Sequence, residues 1–375
     1  MIKILYVNQH IENKQNGGDM VQMYNTKEYL EKNYDVKIVL CNSLDDEELF
    51  FETDIVHIFN MQTIDYSLLA LKKAKKYNKK VVLSTIFWDL RDASYVNTIY
   101  KMFGILPNRI VKNLKVIGDN LNKIAYKCSK KKYNIMFNKK KYAQELIMYS
   151  DCLLPNSYEE LDIIGKFYKC DKEVLKKKSI VVPNAINNDA IKQASDSLCE
   201  IDEKNYVLQV GAINSIKNQI SLVKALYDKP EIRIVFIGKC GDEKYYNELK
   251  KISNKRGNVR IISELDNSEV LKYYKNALCH VLPSFRESPG LVSLEAASLG
   301  IPIVVSSDKY CPIHYYGFDE YAEICDPYDV KSIREAVLAS IKKGRGNFEN
   351  EFLNEKFIYE IAANETYKAY CKAVI

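Results

Sequence analysis

The sequence contains no run of apolar residues approaching the ~18 needed to span a bilayer, no Cys-x-x-Cys pair, no Asp-x-Asp triplet and no Gly-x-Gly-x-x-Gly following a strand-like run. The first absence speaks against a membrane span. The second decides how the ten cysteines, at 41, 128, 152, 170, 199, 240, 279, 311, 325 and 371, are read. Scattered and without partnered histidine spacing, they are expected to be reduced and mostly buried thiols, neither a disulfide framework nor a metal site. The fourth removes a nicotinamide-dependent dehydrogenase, whose glycines bring backbone against the dinucleotide pyrophosphate. The opening Met1–Val7 is too short for a signal-peptide core and lacks a small-residue cleavage site, so it is read as a first strand and a cytoplasmic location is expected. With 14 Gly and 9 Pro against 47% apolar and 28% charged residues, neither disorder nor low complexity is indicated.

A chain of 375 residues exceeds the roughly 250 to 300 that one core usually organises, so two domains are expected. Short β-branched runs alternate with amphipathic stretches, the pattern of strand-helix-strand units on parallel sheets covered on both faces. The first half offers strands near Lys3–Asn8, Val36–Leu40, Ile55–Phe59, Val81–Thr85, Cys152–Leu154 and Ile180–Val182, with helices such as Val21–Glu31 and Leu68–Tyr77. The second half offers Val207–Val210, Ile232–Ile237, Val259–Ile262, Cys279–Leu282 and Ile303–Val305. Asn184–Lys204 is polar and aperiodic, as a linker should be. The expected architecture is therefore α/β, two doubly wound Rossmann-like domains over 1–185 and 205–348 with a linker over 186–204. A last helix over 349–375, with Phe352, Phe357, Ile361 and Tyr370 as its stripe, is expected to cross back to the first domain. Ligands of such sheets bind at the carboxyl ends of the strands.

The densest chemistry lies in Val281–Ala297, where a buried strand ends at Leu282 and a loop leads into a helix. Ser288 is expected as its N-cap and Pro289 in its first turn, so that the amides of Gly290 and Leu291 face an anion, proline having no N–H. Glu287 in the loop and Glu295 in an otherwise apolar helix flank this start. A carboxylate in such company needs partners, and sugar diols offer paired hydroxyl donors. A surface glutamate beside a capping loop is the plainer alternative.

Glu287 and Glu295 stand in an E-x7-E arrangement that resembles the signature of retaining glycosyltransferase family 4. Pro283-Ser284 and Gly300-Ile301-Pro302 resemble that family's flanking block. Val210-Gly211-Ala212-Ile213 through Lys217-Asn218 resembles its Gly-Arg-x4-Lys-Gly/Asn element, and Ile237-Gly238, Asp151–Ser157, Val182-Pro183-Asn184-Ala185 and Gly17-Gly18 resemble further elements. The similarity covers most of the chain, strongly in the C-terminal half. It implies the GT-B fold and a nucleotide diphosphate sugar as donor, with no cofactor and no metal, in agreement with the missing Asp-x-Asp. By the same resemblance Glu287 and Lys217 are catalytic: Glu287 holds the sugar hydroxyls and Lys217 the diphosphate. Gly18, Gly211, Gly238, Ser288, Pro289, Gly290, Leu291 and Glu295 bind the donor, Glu295 at the ribose and Pro289 through its carbonyl alone. The family's arginine is Ala212 here, which leaves Arg286, Lys239 or Asn214 to compensate.

In the N-terminal half, Trp88 beside Asp89 suits an acceptor sugar, whose C–H face stacks on rings while its hydroxyls reach an acid, and Gly17 joins them. A packing tryptophan is the alternative. His10 and His57 are expected to serve structure, since nothing in the sequence places a partner beside either. Charge is uneven: residues 1–150 hold 24 Lys+Arg against 16 Asp+Glu, and 101–150 alone hold 12 against 2. Lysines interleaved with apolar residues over 109–142 suit an anionic membrane surface, hence a peripheral place on the inner face, or a solvated helical face. No nucleic-acid motif accompanies them. The acceptor is expected to be a glycan, lipid-linked or protein-linked, in bacterial surface polysaccharide or glycoconjugate synthesis. The alternative function is a catalytically silent partner subunit of another glycosyltransferase.

Overall fold

A computed structural model of the chain describes residues 1–12, 17–107, 109–117, 130–196, 203–345 and 351–374. In chain order the first helices are α1 (Gln9–Glu12), α2 (Gly18–Asn33), α3 (Glu47–Glu52), α4 (Ile64–Lys76), α5 (Arg91–Phe103), α6 (109–117), α7 (Lys130–Tyr149), α8 (Tyr158–Tyr168) and α9 (Lys172–Lys178). They continue as α10 (Asn188–Asp196), α11 (Gln219–Ala225), α12 (Glu243–Arg256), α13 (Asn267–Asn276), α14 (Leu291–Ser298), α15 (Phe318–Tyr321), α16 (Val330–Lys343), α17 (Glu351–Lys356) and α18 (Tyr359–Val374). The chain divides into two compact units, Met1–Trp88 with Ile124–Ala185 and Phe357–Ile375, and Asp89–Lys123 with Ile186–Lys356.

The first unit carries a parallel sheet of β1 (Ile2–Val7), β2 (Val36–Leu40), β3 (Ile55–Phe59), β4 (Lys80–Ser84) and β5 (Cys152–Leu154) in the order β2-β1-β3-β4-β5. Successive side chains leave opposite faces of a strand, so each sequence run feeds two cores. Leu5, Val7, Val56 and Leu83 pack with Leu68 and Leu71 of α4. Ile4, Tyr6, Ile55 and Val82 pack with Met20 and Met23 of α2 and with Ala369 and Tyr370 of α18. The C-terminal helix therefore returns to the first unit. His57 is buried there and does have partners, Tyr370 Oη at 2.8 Å and Ser84 Oγ at 2.9 Å. Burial pushes its imidazole down to about 3, so it is a neutral structural group. His10, also expected to lack a partner, lies 3.1 Å from Asp19 Oδ2.

The second unit carries β6 (Tyr206–Val210), β7 (Arg233–Ile237), β8 (Val259–Ile262), β9 (Ala277–Leu282), β10 (Ile303–Ser306) and β11 (Glu323–Cys325), parallel in the order β11-β10-β9-β6-β7-β8. Its core joins Val207, Ile234 and Val281 to Leu222 of α11, Leu249 of α12 and Ile333 of α16.

Four expectations are corrected here. Residues 89–123 belong to the second unit, because α5 buries a stripe of Ala93, Val96, Ile99 and Tyr100 whose partners are Phe285, Tyr310, Tyr328 and Tyr245. The segment taken as linker holds α10, which packs on α13 with Ile191 buried, while 197–202 lie outside the described residues. Ile180–Val182 runs beside β5 through Ile180 N to Leu153 O at 2.9 Å but is not a strand; the isolated bridge there is between Leu153 and Ser179. The last helix is broken into α17 and α18, and its buried stripe runs through Tyr359, Ala362, Ala363, Thr366 and Tyr370, with Ile361 half-buried.

Candidate active site

The chemistry gathers in the second unit, where the loops after β6 and β9 meet. Gly211 follows β6 at φ +142°, a conformation glycine adopts easily. A Cβ on Gly238 would lie 2.0 Å from the Gly211 carbonyl oxygen, so glycine at 238 lets the loops after β6 and β7 touch. Gly211 N–H donates to Ile237 O at 2.9 Å and Gly238 N–H to Ile262 O at 3.1 Å, so these amides serve the fold and are not donors for a phosphate. Further on, Asn214 Oδ1 accepts from Ile216 N at 3.1 Å and Lys217 N at 3.0 Å, a side-chain turn that sets the direction of Lys217. Asn214 therefore positions the lysine and adds no second cation in place of the missing arginine; Lys239 is exposed.

Asn218 sits at φ +62°, which explains why Gly or Asn suits this place. Its Nδ2 donates to the Pro283 and Pro327 carbonyls, while Phe285 N donates to Ile216 O at 2.9 Å. The lysine loop is thus tied to the glutamate loop by both backbone and side chain. Glu287 N–H donates to Tyr310 O at 2.7 Å, and Lys217 Nζ donates to Glu287 Oε1 at 2.6 Å. Glu287 is 7% exposed. Beneath them His280 is buried and neutral, pushed down to about 3 by burial and by the Lys217 charge.

The helix after this loop starts later than the spacing predicts. Gly290, at φ +90°, is the N-cap of α14, and Ser288 and Pro289 precede the helix. A side chain at 290 would press on Leu282 at 2.9 Å and on Glu287 Oε2 at 3.2 Å, so Gly290 lets the glutamate approach the helix start. Ser293 and Leu294 donate back to Gly290 O, which leaves the amides of Leu291 and Val292 as the first-turn donors without an intrahelical acceptor. Val292 thus joins the expected Gly290 and Leu291 at the helix start. The Pro289 carbonyl is already taken by the Cys311 thiol at 3.3 Å.

Glu295 lies one turn into α14. Its Oε1 accepts from Asn267 Nδ2 at 2.9 Å, and its buried Oε2 has no hydrogen-bond partner. Burial pushes the carboxyl up to about 7, against the Asn267 hydrogen bond; the nearby Tyr274 hydroxyl donates instead to Val292 O at 2.9 Å. Asn267 opens α13, and no motif spacing marked it.

In the first unit Gly17 caps α2 and Gly18 begins it. Trp88 is fully buried and presents no ring face to a sugar, so stacking on an acceptor is corrected to packing. Asp89, in the second unit, is held by Arg91 Nε at 2.9 and 2.8 Å, an acid with an internal partner. Of the basic segment, Lys112 pairs with Asp326 at 2.9 Å and Lys115 with buried Asp92; 118–129 lie outside the described residues, as do the side chains of 130–138. Among the described residues no helix is long and apolar enough to cross a membrane.

Residues 190–355 match the family model described as glycosyl transferases group 1. The chain is 37% identical over 105 residues to sulfoquinovosyl transferase SQD2 of Arabidopsis thaliana, covering 28% of this chain and 20% of that one. It is 28% identical over 191 residues to O-antigen chain mannosyltransferase RfbU of Salmonella typhimurium, covering 49% of each. The match thus spans half or less of these relatives' length. In fold it is similar, at TM-score 0.69, to Anabaena Alr3699/HepE in complex with UDP and glucose, with 12% identity, covering 99% of this chain and 100% of that one.

Proposed function

We propose, from the premise that residues 190–355 belong to glycosyl transferases group 1 and that the chain has the GT-B fold of two Rossmann-like domains, that the protein moves a sugar from a nucleotide diphosphate sugar to a glycan, lipid-linked or protein-linked acceptor, with retention of anomeric configuration and without a metal. One observation carries this reading: Lys217 Nζ holds Glu287 Oε1 at 2.6 Å where Gly290 opens α14. A lysine has three donors, so Lys217 keeps Glu287 in place and still has protons for a phosphate oxygen. When the bond from the anomeric carbon breaks, its electron pair leaves on the nucleoside diphosphate. The ammonium and the amides of Leu291 and Val292 stabilise that charge, the work a divalent cation does elsewhere. Glu287 faces the sugar hydroxyls. Glu295 takes the ribose, whose hydroxyl supplies the donor that its buried Oε2 lacks.

The likeness to an O-antigen chain mannosyltransferase supports a role in bacterial surface polysaccharide, and the cytoplasm is the location proposed for it. A peripheral place at the membrane rests on exposed Lys139 and Lys141, since Lys112 and Lys115 are engaged in the second unit. Incubation with UDP-, GDP-, ADP- and dTDP-sugars in excess EDTA tests the proposal. Transfer with a retained anomer, read by NMR, supports it. An inverted product, or turnover restored only by manganese, overturns the mechanism. A protein whose melting temperature answers to none of these nucleotides is the silent partner subunit instead, because a ligand at 100 times its Kd adds about 2.7 kcal/mol.

A further inference from the structure

A concavity of the second unit lies between α5, residues 104–106, α6, α11 and α12. About 460 Å³ of space lies within it, the open mouth included. Val96, Ile99, Ile105, Leu106, Ile220 and Phe285 make its walls apolar. Two polar groups interrupt them. Tyr100 is 6% exposed, and its hydroxyl is buried without a hydrogen-bond partner. Lys224 lines the same cavity and makes no side-chain hydrogen bond or ion pair among the described residues.

Both groups are donors that the fold leaves unused. Burial, with Asp242 and Glu248 nearby, pushes the Tyr100 phenol up to about 12, so it stays protonated. Burial pushes the Lys224 ammonium down, and no neighbouring acid opposes it. A half-buried cation without a partner is costly, as is an unmade phenol hydrogen bond. Elsewhere in the wall Ser221 Oγ donates to Asn218 Oδ1 at 2.6 Å, Ser215 Oγ to Asn97 Oδ1 at 3.1 Å, and Tyr245 Oη accepts from Ile220 N at 3.0 Å.

We propose that this cavity is a binding site for a small organic carboxylate with an apolar body, its head group between Lys224 and the Tyr100 hydroxyl and its tail against Val96, Ile105 and Phe285. One carboxylate satisfies both donors, because it accepts at two oxygens. A phosphate monoester would bring a second negative charge that the single lysine does not meet. The site is separate from the Lys217–Glu287 pair and does not depend on the function proposed above.

Calorimetry on the full chain with hexanoate, 1-hexanol and hexylammonium as probes tests the assignment. Hexanoate should bind at least tenfold more tightly than hexanol, and hexylammonium should not bind. Lys224→Met keeps the apolar stem and removes the charge; it should weaken hexanoate about tenfold or more, the range for losing a hydrogen bond to a charged group. The same change should raise the melting temperature of the unliganded protein, since it removes an unpaired cation from the wall. Tyr100→Phe should weaken hexanoate a few-fold with the ring kept in place. Hexanoate binding that survives Lys224→Met, equal affinity for hexanol, or no hexanoate binding by the folded wild-type chain would each overturn the proposal.

Discussion

Asn218 Nδ2 donates to the Pro283 carbonyl at 3.0 Å, joining the loop that carries Lys217 to the loop that carries Glu287. The same amide reaches Pro327 O at 2.9 Å, and the residue is 6% exposed at φ +62°. The spacing between lysine and glutamate is therefore set in part by a residue whose side chain bonds to neither of their side chains.

Asn218→Ala should remove both Nδ2 bonds and the Ser221 Oγ bond to Oδ1, leave two buried carbonyls short of a donor and place an alanine in the left-handed region. Together these cost about 2–4 kcal/mol. Asn218→Gly relieves the backbone but not the carbonyls, so urea titration should place it between alanine and the wild type. Equal stability of all three would show that the amide carries little of the loop junction.

Gly238→Ala tests the contact of the loops after β6 and β7. Its Cβ would lie 2.0 Å from the Gly211 carbonyl, an overlap with backbone that no rotamer relieves. The expected loss is about 3 kcal/mol. Gly257, at φ +74° with nothing within 4 Å of a built Cβ, isolates strain without overlap, and Gly257→Ala should cost only about 1–2 kcal/mol. The order of the two melting temperatures checks the argument.

The pattern of short β-branched runs made most of the fold legible: Ile55–Phe59 is buried on both faces of its sheet, while Val36–Leu40 and Val259–Ile262 are recognisable although they form sheet edges and are only partly covered. The spacing from Glu287 to Glu295 likewise brought both acids to one helix start. What escaped depends on partners distant in sequence. The stripe on α5 reads as an ordinary amphipathic face, and nothing local tells that Phe285 and Tyr328 of the second unit cover it. Trp88 beside Asp89 had the residue types of a sugar site, but its full burial is set by tertiary packing. Asn267 met Glu295 only because α13 and α14 are neighbours. Glu160 shows the same limit: fully buried, it accepts from Phe87 N at 2.8 Å and Asn156 N at 2.9 Å, while the sequence shows only an acid in a first turn.

Glu295 should give the protein a pH signature. Its folded value of about 7 is raised by burial above the ordinary 4.5. For such a group the stabilising effect is complete below the unfolded value and is lost as pH rises through the folded one. The unliganded protein should therefore weaken between about pH 4.5 and 7, by on the order of 1–3 kcal/mol. Glu295→Gln should flatten that slope. Denaturant midpoints at several pH values, wild type against variant, measure it; parallel curves would remove the titration of Glu295 as their cause.

If the proposed roles hold, the two glutamates meet different ends of one donor and should separate in kinetics. The ribose is present in the intact donor and in the free nucleoside diphosphate, so Glu295→Ala should weaken both by about 1.5–3 kcal/mol and appear chiefly as raised KM. Since ribose hydroxyls bond best to its charged form, diphosphate affinity of the wild type should also climb as pH rises through about 7, and this climb should vanish in the variant. On the proposed mechanism Glu287 meets only the transferred sugar and the charge developing at its anomeric carbon. Glu287→Ala should leave diphosphate affinity nearly intact while kcat falls ~10²-fold or more. Its loss also frees Lys217 from the 2.6 Å contact, so diphosphate binding has, if anything, one more ammonium proton available to it. Calorimetry with the free diphosphate and steady-state rates on both variants decide the matter. A Glu287→Ala enzyme that loses diphosphate affinity as badly as Glu295→Ala would mean that Glu287 works through Lys217 and not on the sugar.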